Sequence, residues 1–219
     1  MDRPPPTRRR NGPPFDRQSG QARAPRPLPK PLDAARLDEM ALAYVARFAT
    51  SAGKLRAYLQ RKLRERGWTG ATDEDPQLAR VEGAARLEAL IERFVALGYV
   101  DDESFARGRA GSLLRRGFGR RRISEALSAA GIDGDTRAAV MPGEGAQRRA
   151  ALALAVKRRF GPFDDRPPDP ARRQKQMAAM LRAGHGVDAV RALLGAASAQ
   201  EAENWAAEAR DDEPEPGGG

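Results

Sequence analysis

Four glycines, each followed by a large apolar residue, constrain this chain more than any other feature: Gly67-Trp68, Gly98-Tyr99, Gly117-Phe118 and Gly131-Ile132. Each pair falls where a helical pattern of apolar residues runs out. Glycine just past a helix end takes the left-handed conformation, and the hydrophobe after it folds back on the last turn. One such pair carries little weight. Four, at ends already marked by periodicity, imply short helices joined in repeated helix-turn-helix units.

The periodicity supplies those helices. Leu37, Met40, Ala41, Tyr44, Val45 and Phe48 follow one buried helical stripe. Thr50 and Ser51 end it and cap the next helix, 52–66, which carries Leu55, Leu59 and Leu63. A polar connector from Thr69 to Pro76 leads to a helix over 77–97, striped by Leu87, Leu90, Ile91, Phe94 and Val95. Further helices are expected over 101–116, 120–130, 145–160 (Leu152, Ala155, Val156, Phe160), 170–183 and 187–194, with a weak one near 134–141. Asp169 before Pro170 is a strong start signal, since Asp caps and Pro suits the first helical position.

None of these helices can bury its stripe alone, so the units must stack. The expected fold class is all-α: an elongated tandem array of three-helix repeats with disordered N- and C-terminal tails. The expected divisions are a Pro/Arg-rich tail over 1–34, repeats over 35–100, 101–142 and 143–197, and a short helix with an acidic, Gly-ending tail over 198–219.

Composition narrows the function. The chain has no Cys and one His, His185, so thiol nucleophiles, Cys-type zinc sites and two-His metal sites are excluded within one chain. No apolar run approaches the ~20 residues of a membrane-spanning helix. The N-terminus has charge but no apolar h-region, which argues against a secretory signal, so a cytoplasmic protein is expected. The net charge of +9 suggests a polyanionic partner. Much of it is local: residues 1–36 hold nine basic side chains against three acidic ones, an excess of +6. Arg also outnumbers Lys, and Ala, Gly and Pro abound, as a GC-rich genome yields without selection for binding. The arrangement of charge therefore matters more than its sum.

Gly98-Tyr99-Val100-Asp101-Asp102-Glu103-Ser104-Phe105-Ala106 resembles the central signature of the RecX family, and so does its continuation through Leu114-Arg115-Arg116-Gly117, Gly119, Ile123, Leu127, Gly131 and Ile132. Ser51, Leu55, Leu59, Leu63 and Gly67 match that family's first unit, and the resemblance spans about residues 38–195. It implies tandem three-helix repeats and a regulator of RecA in homologous recombination and the SOS response. It also implies binding within the groove of the RecA–single-stranded DNA filament, with restraint of RecA's ATPase, strand-exchange and coprotease activities.

Candidate contacts are cationic. Arg115, Arg116, Arg120, Arg121 and Arg122 flank a Gly117-Phe118-Gly119 turn, a basic edge suited to DNA phosphate or acidic RecA side chains. A solvated turn is the plainer account, with Arg115 and Arg116 favouring a helix C-terminus. Three successive arginines at the next helix start oppose its dipole, and that tolerated cost favours a functional reading. Arg61, Lys62 and Arg64, with Arg66, extend the basic surface into the first repeat or form a solvated helix face.

Other candidates reduce to structure. Asp101, Asp102 and Glu103 satisfy a helix start rather than forming a paired-carboxylate site. Tyr99, Phe105, Phe118 and Trp68 resemble base-stacking aromatics, but core packing explains them, and Phe118 within the arginine cluster is the one to test. His185, between Gly184 and Gly186, is expected to be a capping or exposed residue. No phosphate-loop, hydrolase-elbow or zincin motif occurs. No enzyme, cofactor or metal is expected, and a monomer is the default. The competing reading is a helix-turn-helix DNA binder acting without RecA, with affinity set by phosphate rather than bases, because Asn is nearly absent and Gln is scattered.

Overall fold

The computed structural model describes residues 30–69 and 75–209. The expected tails, over most of 1–34 and over 210–219, and most of the 69–76 connector lie outside them. Ten α-helices stand among the described residues: α1 Ala34–Val45, α2 Ala52–Arg66, α3 Pro76–Ala96, α4 Asp102–Arg115, α5 Arg120–Ser128, α6 Gly134–Ala139, α7 Glu144–Arg158, α8 Pro170–Arg182, α9 Val187–Gly195 and α10 Ala199–Glu208. A 3₁₀ turn, Gly161–Phe163, follows α7. The one extended pairing among these residues is an isolated parallel bridge between Leu32 and Trp68. None of the helices is long and apolar enough to cross a membrane.

The hydrophobic residues bury themselves in three separate cores in chain order. Leu37, Leu55, Leu59, Leu87, Ile91 and Phe94 build the first between α1, α2 and α3. Ala106, Leu113, Ile123, Leu127 and Ile132 build the second between α4 and α5, with Val140 and Met141 after α6 packed on it. Ala151, Leu154, Met180, Leu193, Leu194 and Ala202 build the third from α7 to α10. Each fully buried Leu contributes about 1.5–3 kcal/mol against the ordering entropy of its short helix.

Folding starts slightly ahead of the expected residue 35. Leu32 is fully buried in the first core. Its N–H donates to the Gly67 carbonyl and its carbonyl accepts from the Thr69 N–H. Asp33 then caps α1, accepting from the Arg36 N–H at 2.7 Å. Gly67 keeps a positive φ of 77°, yet Trp68 is drawn aside to pair with Leu32 instead of closing on α2.

The other three glycine pairs end their helices as expected. The Tyr99 N–H reaches the Phe94 carbonyl, Phe118 that of Leu113, and Ile132 that of Leu127, after glycines with φ of 72°, 80° and 77°. Two further helix ends use the same backbone path without the glycine-hydrophobe pair. Gly184, at φ 96°, precedes His185, whose N–H reaches the Met180 carbonyl. Arg159 takes φ 52° as a non-glycine, and the Phe160 N–H reaches the Ala155 carbonyl.

Three stripes depart from the expected faces. In α7 the buried face is Ala150, Ala151, Leu154 and Ala155, while Val156, expected inside, is exposed. Phe48 and Val95, also expected on stripes, are exposed as well.

Candidate functional site

The candidate arginines are positioned by a junction between the second and third cores. α5 starts at Gly119 and has no side-chain cap. Two of its free N–H groups are satisfied by the end of α8: Gly119 N–H donates to the Ala183 carbonyl at 2.9 Å and Arg121 N–H to the Gly184 carbonyl at 3.1 Å. Arg121 Nη2 adds a bond to the Leu181 carbonyl at 2.7 Å. The positive end of one helix therefore abuts the negative end of another. This weakens one step of the sequence argument. Of the three arginines at the start of α5, Arg121 bonds the carbonyl-rich end of α8, which offsets part of their conflict with α5's own dipole.

The arrangement recurs one unit earlier. Ser51, the N-cap of α2, donates its hydroxyl to the Ala130 carbonyl just past α5, at 2.5 Å. The Ala52 N–H donates to Asp102 Oδ1 at 2.8 Å. The second helices of the three units thus follow one another end to end in the order α8, α5, α2.

On this frame Arg115, Arg116, Arg120, Arg121 and Arg122 are all exposed around the α4–α5 turn. Arg121 and Arg122 share Glu125, at 3.6 and 3.4 Å, and the Arg116 guanidinium lies 5.2 Å from the centre of the Phe118 ring. Among the described residues Arg115 and Arg120 form no ion pair. Arg61, Lys62 and Arg64 lie at the far end of α2, so the structure does not bring them together with the α5 group. Lys62 and Arg61 pair with Glu65, at 2.6 and 3.7 Å, and Arg61 also lies over Tyr58. Pairs this exposed hold weakly and yield readily to a partner.

Sequence reasoning missed a second basic group at the end of α7. Lys157, Arg158 and Arg159 are exposed and unpaired among the described residues. Lys157 and Arg158 line a groove with Arg116 and Phe118. Its sequence sign is Arg159-Phe160, a helix-ending pair with arginine in the glycine place.

The non-cationic candidates settle into structural roles. Asp101 caps α4, accepting from the Ser104 N–H at 2.9 Å and hydroxyl at 2.6 Å, and these bonds lower its pKa from the ordinary value. Asp102 serves α2 instead. Phe105, Phe118 and Trp68 pack partly against cores. Tyr99 does not: it is 54% exposed, held edge-on to Phe94. His185, expected as a cap or an exposed residue, occupies the cap-hydrophobe position and is only 7% exposed. Its Nε2 lies 3.0 Å from the Gly117 carbonyl oxygen, so that nitrogen carries the proton. Burial lowers its pKa, opposed in part by this bond. Asp164, before α8, accepts from Arg166 and Gln176, and the Arg166 bonds hold its pKa at about 2. No group of three or more potential metal ligands occurs among the described residues.

Residues 101–141, spanning α4 to α6, match a family model described as RecX, second three-helix domain. The chain is 29% identical over 180 residues to the regulatory protein RecX of Myxococcus xanthus (strain DK1622), covering 80% of this chain and 90% of that one. It is 32% identical over 148 residues to the regulatory protein RecX of Mycobacterium sp. (strain JLS), covering 66% of this chain and 73% of its relative. A crystal structure of RecX from Lactobacillus salivarius is similar in fold, with a TM-score of 0.51 over 72% of this chain and 91% of that one at 15% identity.

Proposed function

The chain belongs to the RecX family of regulatory proteins, and from that premise we propose that it binds the RecA filament formed on single-stranded DNA. Binding restrains RecA's ATPase, strand exchange and coprotease action without chemistry of its own. The protein acts in the cytoplasm as a monomer and takes no cofactor. One observation carries this reading beyond family membership. In support of it, the exposed Arg120, Arg121 and Arg122 on α5, and Arg61 and Arg64 with the half-buried Lys62 on α2, belong to helices that follow one another end to end. That spacing suits a partner whose phosphate and acidic groups also recur along an axis. The filament-facing set is then Arg115, Arg116, Arg120, Arg121 and Arg122, extended by Arg61, Lys62 and Arg64 on α2.

The test is RecA's DNA-dependent ATPase with increasing amounts of the full chain. Inhibition is expected at or below one protein per RecA. Unchanged ATPase and unchanged strand exchange, with folded protein, would end the proposal. Replacing Arg120, Arg121 and Arg122 together by Ala weakens inhibition with helicity retained if the binding edge is correctly placed. Gel shifts with and without RecA separate the alternative, since equal affinity for bare DNA and filament supports a DNA binder acting alone.

A further inference from the structure

The C-termini of α4 and α7 converge on α8 and leave a groove of about 220 Å³ between the second and third units. Three cations enter it from two different helix ends: Arg116 after α4, and Lys157 and Arg158 in the last turn of α7. No acidic side chain lines it. A helix C-terminus attracts cations through its own dipole, but that accounts for about half a charge per helix. Two such ends leave most of the three full positive charges uncompensated. Lys157 and Arg158 also have no partner among the described residues, whereas Arg121, Arg122, Arg61 and Lys62 share their nearest carboxylates.

The groove wall carries two aromatic rings. Phe118 and Phe160 are the residues after the left-handed positions that end α4 and α7, and each is half-buried on its own core. The Ala179 and Ala183 side chains of α8 leave the groove open between them. Cations set beside flat apolar rings match a flexible strand whose phosphates are charged and whose bases are unstacked. A duplex keeps its bases stacked and offers no ring to this wall.

We propose that this groove is a binding site for single-stranded nucleic acid, with Lys157, Arg158 and Arg116 on successive phosphates and Phe118 or Phe160 against a base. The site deepens the filament reading, because it names where the DNA strand rather than the recombinase is held.

The test uses the full chain and fluorescein-labelled oligo(dT), without RecA, by anisotropy over a range of KCl concentrations. The variant K157Q/R158Q removes two exposed side chains with no partner to lose. The variant R36Q/R47Q removes the same charge from exposed positions on α1 and in the turn after it. The first is expected to weaken binding about tenfold and to flatten the log–log salt slope by about 1.4, since each single-strand phosphate contact contributes roughly 0.7. The second is expected to change affinity less than twofold. Phe160→Leu, which keeps apolar packing but removes the ring, should weaken binding several-fold with the salt slope unchanged. Equal losses in both charge variants, no loss in the first, or no binding by the unmodified chain would overturn the site. A K157Q/R158Q protein that keeps its oligonucleotide affinity but fails on RecA filaments would assign the groove to an acidic protein surface and likewise overturn it. Failure of the filament proposal reads out separately: oligonucleotide binding through the groove persists while RecA ATPase is untouched.

Discussion

Gly119 and Gly184 lie so close that a Cβ on Gly119 would come within 2.5 Å of the Gly184 carbonyl carbon and oxygen. The contact is backbone on backbone, so no side chain can swing aside to relieve it. Gly119 has an ordinary φ of −87°, which means that alanine there is excluded by space alone. Gly119→Ala should therefore push α5 from α8 and cost about 1–3 kcal/mol, several degrees in thermal midpoint for a chain of this size. Gly108, inside α4, has nothing within 4 Å of its missing Cβ, and Gly108→Ala should add about 0.5–1 kcal/mol. Thermal circular dichroism on the two variants checks the pair; equal shifts in the same direction would contradict the junction.

Much of the architecture can be read from side-chain chemistry, and the limits have physical causes. Gly98, Gly117 and Gly131 announce their helix ends because glycine is the residue best suited to φ near 75°. Arg159-Phe160 and Gly184-His185 follow the same path, but arginine in the glycine place and histidine in the hydrophobe place do not show that cap, even though helices are expected to end there. The face of α7 is hard to read because Ala150, Ala151 and Ala155 carry weak apolar signals beside the stronger but exposed Val156. α10 is missed as a core element for the same reason: Ala202 and Ala206 are its buried residues. The docking of α5 on α8 is made mainly by backbone N–H and carbonyl groups, with one bond from the Arg121 side chain, and no pattern of side chains encodes the backbone part. The basic groove depends on that docking and so was equally hidden.

Asp102 couples two units through one hydrogen bond, capping α2 at the Ala52 N–H from the first turn of α4. Asp102→Ala leaves that N–H without its acceptor while Asp101 keeps α4 capped. The expected loss is about 1 kcal/mol, read as a lowered urea midpoint. The neighbouring Glu103→Ala, which breaks only an exposed pair with Arg107, should cost less than half of that.

His185 gives the fold a pH dependence in a window of its own. Burial holds its folded pKa below the ordinary 6.5, so the unfolded chain binds the proton first. Its contribution is complete above about pH 6.5 and is lost as pH falls below that value toward the folded pKa. Glu144, Arg148 and Asp188 share its hollow. The chain has no other histidine. The urea midpoint should therefore fall between pH 7.5 and 5.2. In His185→Gln the same pH change should leave it nearly flat. A slope equal in both proteins would place its origin elsewhere.

Arg159 holds a left-handed backbone at φ 52°, where a non-glycine residue costs about 1–2 kcal/mol. Arg159→Gly removes that strain and gives up a helix-terminal charge of about 0.3–1 kcal/mol. A net gain in stability is expected, measured as a raised urea midpoint. A loss would show that the guanidinium holds α7 in place more strongly than its exposure suggests.

Arg120 and Arg121 are neighbours with opposite duties. Arg121 donates to the Gly184 carbonyl from its backbone and to the Leu181 carbonyl from its side chain, so part of its charge is committed to the junction with α8. Arg120 is exposed and forms no ion pair among the described residues, which leaves its whole charge for a partner. Arg120→Ala should thus weaken RecA inhibition about as much as a single phosphate or carboxylate contact allows, roughly three- to tenfold, with the thermal midpoint unchanged. Arg121→Ala should lower the thermal midpoint by one to a few degrees, through loss of one carbonyl bond of about 1 kcal/mol, and affect inhibition less. Measuring both quantities on both variants separates the roles. If the midpoint moves in Arg120→Ala and inhibition moves in Arg121→Ala, the partition drawn from the α5–α8 junction is reversed.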